Sequence, residues 1–333
     1  MIALKRILPL LLLLPLLLSG CRTGAPEETD LFAMDTLMNI KIWGDSDGSA
    51  SRLVTQEIDR LSALFSVTDP TAELYLLNNT GRAELSEETV QLLTAALSAS
   101  ERTGGAFDPT VYPLVRLWGF TDELRKVPSP DERAEALNHV GIQNVSLSGT
   151  TVTLAEGSML DFGGIAKGYA AERCAELLAQ AGVEAALLSL GGNVQTLGSK
   201  PDGTLWTVGI ANPEAPSEAI AKLTFSGSKA LVTSGGYQRY FEENGVRYHH
   251  ILDPKTGCPA ESGLTSVTVL ADSGTLADAL STALFVMGMD KAADFWRASD
   301  DFDAVFLTES GEIYATEGAA SLLGGCEFKV IRR

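Results

Sequence analysis

Cysteine and histidine are scarce in this chain of 333 residues, with four of the first and three of the second. After Cys21, Cys174, Cys258 and Cys326 are far apart and odd in number, so neither a disulfide framework nor a zinc cluster is indicated. Positive charge is also scarce. Against 25 Lys and Arg stand 43 Asp and Glu, a formal charge of −18, which excludes nucleic acid as a partner and an anionic lipid surface as a docking site beyond any anchor. Apolar runs long enough to span a bilayer are missing: Ile7 to Leu18 is too short and carries Pro9 and Pro15. Internal repeats and low-complexity tracts are absent after that run. Neither the Walker spacing nor G-x-G-x-x-G occurs at the glycine-rich centre of the chain.

At the N-terminus, Lys5 and Arg6 precede the apolar run, and Ser19-Gly20 precedes Cys21. This is an export signal over residues 1–20. Leu18-Ser19-Gly20-Cys21 resembles the lipobox of bacterial lipoproteins, which implies cleavage before Cys21, its acylation, and an extracytoplasmic protein held at a membrane only by lipid. Losing Lys5 and Arg6 with the signal takes the formal charge from −18 to −20. Residues 21–30 read as a polar linker. Residues 31–333 read as one folded domain, and 45% apolar content is enough for a sizeable core.

The periodicity predicts a strand from Phe32 to Trp43, a helix from Ser49 to Phe65, and a helix capped by Ser86 and stopped at Gly104-Gly105. Ser129-Pro130-Asp131-Glu132 is a capping box with proline at the first helical position. A hairpin over 144–154 is followed by short strands near 187–190, 205–210, 219–225, 237–242, 246–252 and 264–270. Helices over 275–288 and 291–298 precede a last hairpin and a strand near Phe328. Strands that arrive as hairpins, with helices packed on them, make the fold class α+β with mostly antiparallel sheets.

At the centre lies Met159-Leu160-Asp161-Phe162-Gly163-Gly164-Ile165-Ala166-Lys167-Gly168, read as a strand, a tight turn and a helix running to Ala181. The glycines allow close approach of a ligand, the first N–H groups of a helix are unpaired, and Lys167 adds charge, so the site suits a phosphate. The plainer alternative is close strand–helix packing with Lys167 in solvent. Asp278 and Thr282, four apart, share one helical face and could offer a carboxylate and a hydroxyl to a hard cation. Thr275-Leu276-Ala277-Asp278 is equally a capping-box pattern that would make Asp278 a helix start. His249 and His250 sit on opposite faces of a strand before the turn Asp253-Pro254-Lys255-Thr256-Gly257.

Taken in order, Met34-Asp35-Thr36, Phe65-Ser66, Gly105-Ala106-Phe107-Asp108-Pro109, Asp161 to Gly168, Ser189 to Asn193, His250 to Gly257 and Asp278 to Leu284 resemble the ApbE family of FAD:protein FMN transferases over nearly the whole mature chain. The resemblance implies an architecture related to the T-fold, FAD as substrate with Mg²⁺, and transfer of FMN through a phosphoester bond to a threonine or serine of exported or membrane-bound redox proteins, releasing AMP. It implies metal ligation by Asp278, Thr282 and the Gly164 carbonyl, and flavin or phosphate contacts from Met34, Ala106, Phe107, Asp108, Asp161, Lys167 and the main chain near Leu252. His250 is the candidate proton acceptor, its ordinary pKa lying near neutrality. Thr68 stands where the family often carries an aromatic. A metal-dependent FAD pyrophosphatase using the same site with water, and a lipoprotein that only carries flavin, are the rival readings.

Overall fold

The computed structural model describes residues 24–121 and 124–333, so Cys21 and the signal lie outside the described residues. Nine strands form one sheet: β1 (Glu27–Ala33), β2 (Thr36–Ile42), β3 (Ala186–Leu190), β4 (Asn193–Leu197), β5 (Ala230–Gly235), β6 (Leu264–Ala271), β7 (Phe302–Thr308), β8 (Ile313–Thr316) and β9 (Lys329–Ile331). Their spatial order is their chain order. Every neighbouring pair is antiparallel except β8 with β9, so the sheet is a meander with other segments inserted between its strands. The expected α+β class with mostly antiparallel strands is what the chain forms.

The first strand predicted from sequence is two. The chain reverses at Met34-Asp35, both left-handed with φ 49° and 58°, and Ala33 pairs with Thr36. Two-residue hairpins of this twist need positive φ at both turn positions and are usually signalled by Asn-Gly; Met-Asp carries no such signal. β1 also starts at Glu27, so residues 27–30 are strand rather than linker. Their polarity suits an edge strand, where Asn39 on β2 donates to both Glu28 and Asp30.

Helices cover one face of the sheet. α1 (Ser49–Leu64), α2 (Glu73–Thr80), α3 (Glu87–Arg102), α4 (Tyr112–Leu117) and α5 (Pro130–Leu137) lie between β2 and β3, followed by α6 (Ala166–Gln180). α7 (Gly274–Met287) and α8 (Met289–Arg297) lie between β6 and β7. Val54, Ile58 and Leu61 of α1 meet Met38, Ile40 and Ile42 of β2, all fully buried, with Cys174 of α6 in the same core. The capping box at Ser129 and the cap at Ser86 are both formed. A smaller sheet containing Trp206–Asn212 and Ala215–Phe225 covers the other face, where Trp206 and Leu223 pack against Leu231, Leu270 and Leu307.

Candidate active site

One cleft of about 1120 Å³ opens where the β1–β2 turn, the loop after α3, the starts of α6 and α7 and the His250 loop converge. Met34, Ala106, Phe107, Asp108, Asp161 and Gly164 line it, as do Lys167, His250, Leu252, Asp278 and Thr282. Every site residue expected from the sequence, apart from the lipidation residue Cys21, is therefore in one place.

Each arrives by a local device. The turn that carries Met34 holds both its residues at positive φ, a strained backbone at a cleft wall. Gly104 and Gly105, at φ 60° and 77°, swing the chain off α3, and the Phe107 N–H donates to Thr103 Oγ1. Asp108 is buried and its Oδ1 accepts from the Thr110 N–H and Oγ1, so half of its carboxylate ties its own loop. Burial raises the Asp108 pKa against those bonds.

The glycine-rich segment differs from its sequence reading in two respects. Residues 159–160 are not a strand; the backbone of Leu160 exchanges both hydrogen bonds with the Asn78 side chain, at 2.7 and 2.8 Å, and the Asp161 N–H goes to Pro109 O. An amide side chain replaces a neighbouring strand, which an apolar pair in sequence does not reveal. The start of α6 is also not open to a phosphate. The Ala166 N–H donates to Phe162 O, and the Gly168 N–H donates to Asp278 Oδ2 at 2.8 Å.

Asp278 is therefore not a helix start for α7. Ser273 caps that helix through the Leu276 N–H, and Asp278 sits in the second turn, 4% exposed, facing the positive end of α6. The capping-box alternative is overturned. Burial raises the Asp278 pKa, opposed by Lys167, by the N–H groups of Gly168 and Lys167 and by Asn193. The Gly168 N–H takes one of about four lone-pair sites on the carboxylate, so room remains there for a cation. Thr282 Oγ1 lies 3.2 Å from Ser234 Oγ, and a side chain built on Gly164 would stand 3.5 Å from Thr282 Oγ1, so the Gly164 backbone adjoins it. Among the described residues there is no cluster of three His, Cys, Asp or Glu that could hold a metal. One carboxylate with neutral hard oxygens nevertheless suits Mg²⁺, which keeps waters and shares substrate phosphates.

His250 and His249 part, but not by strand alternation: the strand expected to run through both ends at His249, and His250 follows it. His249 turns away from the cleft, its ring edge-on to Phe285 and its Nε2 3.3 Å from Ala260 O. His250 Nδ1 lies 3.1 Å from Arg239 O. A carbonyl only accepts, so Nδ1 carries the hydrogen and Nε2 keeps its lone pair. Burial, then the charges of Lys167 and Arg239, push the ring down to about 3, which keeps it neutral. Asp161 is pushed the other way by burial, against the Gly163 N–H and the same two cations. The Asp253-to-Gly257 motif is a closed turn, in which the N–H groups of Thr256 and Gly257 reach Asp253 O and Trp118 Nε1 reaches Gly257 O.

The cleft also contains Arg239, to which the sequence reading assigned no role. Its guanidinium donates to Phe120 O. Its only sequence signal is its place just after Gly235-Gly236-Tyr237, which says nothing of direction.

Comparison with known proteins matches residues 34–306 to the ApbE family. A FAD:protein FMN transferase of Klebsiella pneumoniae is 38% identical over 281 residues, covering 82% of this chain and 86% of that one. Another, of Treponema pallidum, is 38% identical over 243 residues, covering 68% and 67%. The crystal structure of the ApbE protein of Thermotoga maritima superposes with a TM-score of 0.84 at 38% identity, over 89% of this chain and 99% of that one.

Proposed function

Because the chain belongs to the ApbE family, we propose that it transfers FMN from FAD, with Mg²⁺, to a threonine or serine hydroxyl of exported or membrane-bound redox proteins, releasing AMP. The observation that carries this reading is the convergence, in one cleft, of two cations, a neutral histidine with a fixed tautomer, and a carboxylate beside hard neutral oxygens.

Lys167 and Arg239 face the pyrophosphate and neutralise it. Among the described residues the Lys167 ammonium makes one hydrogen bond, to Gly163 O at 3.3 Å, a tie it gives up readily. Met34, Ala106 and Phe107 provide the apolar wall for the flavin, and the main chain near Leu252 adds a polar contact. The acceptor hydroxyl oxygen bonds to the FMN phosphorus as the bond from that phosphorus to the bridging oxygen breaks, AMP leaves with that oxygen, and the hydroxyl proton passes to His250 Nε2. The phosphate charges offset those of Lys167 and Arg239 and so raise the basicity of the ring when it is needed. Asp278, Thr282 and the Gly164 carbonyl would hold Mg²⁺, which would supply Lewis-acid stabilisation of the leaving group.

The test is mass spectrometry of a candidate acceptor incubated with this protein, FAD and Mg²⁺. An FMN adduct on a threonine or serine supports the reading; free FMN and AMP with no adduct points to a pyrophosphatase, and unchanged FAD to a carrier. Lys167→Ala is expected to weaken FAD binding by ~1–3 kcal/mol, the range for a charge-assisted hydrogen bond, with little change in melting temperature. Unchanged affinity by calorimetry would place Lys167 outside the phosphate site.

The localisation we propose is extracytoplasmic, with a lipid at Cys21 as the membrane anchor. In a bacterial host, full-length protein should sediment with membranes and Cys21→Ala should not; equal retention of the two would remove the anchor.

A further inference from the structure

Asn193 opens β4 directly after the Gly191-Gly192 turn and lines the cleft beside Asp278. It is 3% exposed. Its side chain lowers the pKa of the Asp278 carboxylate beside it, which an amide does through its N–H, whereas its Oδ1 is buried with no partner. The neighbouring hydroxyls differ in this respect. Ser234 Oγ bonds Ser281 Oγ at 2.8 Å, and Thr233 Oγ1 bonds Thr268 Oγ1 at 2.8 Å. Buried amide oxygens are almost always paired, and an exception next to an anionic donor in a cleft calls for a ligand. An amide oxygen is a hard neutral donor of the kind Mg²⁺ and Ca²⁺ take.

The position is also built. Asn193 is in register with Leu190 on β3 and with Val232 on β5, so strands on both sides fix its backbone. A side chain on Gly191 would fall 2.1 Å from Thr36 Oγ1, and Gly191 has φ 59°, so the preceding turn has one conformation available. A residue held in this way aims its amide without loss of further freedom.

We propose that Asn193 is a further residue of the cation site: its N–H steadies the Asp278 carboxylate, and its Oδ1 is a neutral oxygen ligand to the divalent cation. This rests on the reading that Asp278 and Thr282 bind such a cation. Asp278 then contributes a free carboxylate lone pair, and Asn193 brings the cation a further protein oxygen, beside those of Thr282 and Gly164, from the strand side of the cleft.

The experiment is titration of Mn²⁺, followed by the electron paramagnetic resonance of the free ion, with FAD present and no acceptor. Wild type, Asn193→Leu, Asn193→Asp and Asp278→Asn are compared, with melting temperatures in EDTA. Asn193→Leu should bind Mn²⁺ at least tenfold more weakly while FAD affinity in EDTA is unchanged. Asn193→Asp should bind Mn²⁺ at least as tightly as wild type, because an oxygen is kept and charge is added, yet melt lower in EDTA where two carboxylates face each other. Wild-type Mn²⁺ affinity in Asn193→Leu overturns the proposal; so does weakened affinity in Asn193→Asp, which would leave Asn193 only a donor to Asp278. If wild type and Asp278→Asn bind Mn²⁺ alike, the cation reading beneath it fails instead, and the proposal with it.

Discussion

Asp278→Ala is expected to lower FMN transfer roughly 10³-fold, since loss of a Lewis acid worth several kcal/mol removes a factor of ten for each 1.36 kcal/mol. The same change has a second, structural effect. Asp278 accepts the Gly168 N–H at the start of α6, so alanine there should also cost about 1–2 kcal/mol, as the loss of a helix cap does. The two effects separate in Asp278→Asn. Its side-chain oxygen can still accept the Gly168 N–H while the charge that holds the cation is gone, so it should melt near wild type and transfer as poorly as the alanine variant. Urea unfolding and transfer rates on the same preparations decide the matter: an asparagine variant of full activity would leave Asp278 a helix cap for α6 and nothing more.

Gly168→Ala should unfold the protein at much lower urea than wild type, by about 3 kcal/mol or more. A side chain at this position would stand 2.1 Å from Gly274 O and 2.6 Å from Asp278 Cβ, and neither is a flexible tip that can swing aside. α6 and α7 would have to part, which is overpacking at its most severe. Parting would also stretch the bond from Gly168 to Asp278, so transfer should fall together with stability. Gly324→Ala is the control, since nothing lies within 4 Å of an added side chain there. If Gly168→Ala unfolds with the control, the two helices are not in contact as described.

These two expectations rest on the motif that the sequence made most visible, and the structure changed what it means. Gly163-Gly164-Ile165-Ala166-Lys167-Gly168 read as a phosphate cradle at a helix start. In the folded chain the cradle holds a carboxylate from α7, 110 residues later, and the charge left for a phosphate is on the side chains of Lys167 and Arg239. One carboxylate near a helix N-terminus satisfies the same N–H groups that a phosphate would. Sequence shows that those groups need an anion, not which anion arrives.

The sequence by itself determined what depends on neighbours along the chain. Apolar periodicity set α1, α3 and α7, serine caps set the starts of α3 and α5, hairpin spacing set the antiparallel class, and the motifs in order set the family and the residues of the cleft. Tertiary structure alone decided the pairings between distant segments. It decided that Asn78 serves as a strand partner for Leu160, that a Met-Asp pair is bent into a left-handed turn, that Asp278 caps α6 and not its own helix, and that Arg239 and Asn193 face the site. The physical reason is the range of the interactions. A helical period or a cap is fixed by residues three or four apart, whereas a buried hydrogen bond is fixed by whichever group the packing of the whole core brings within 3 Å or so, and that group can lie anywhere in the chain.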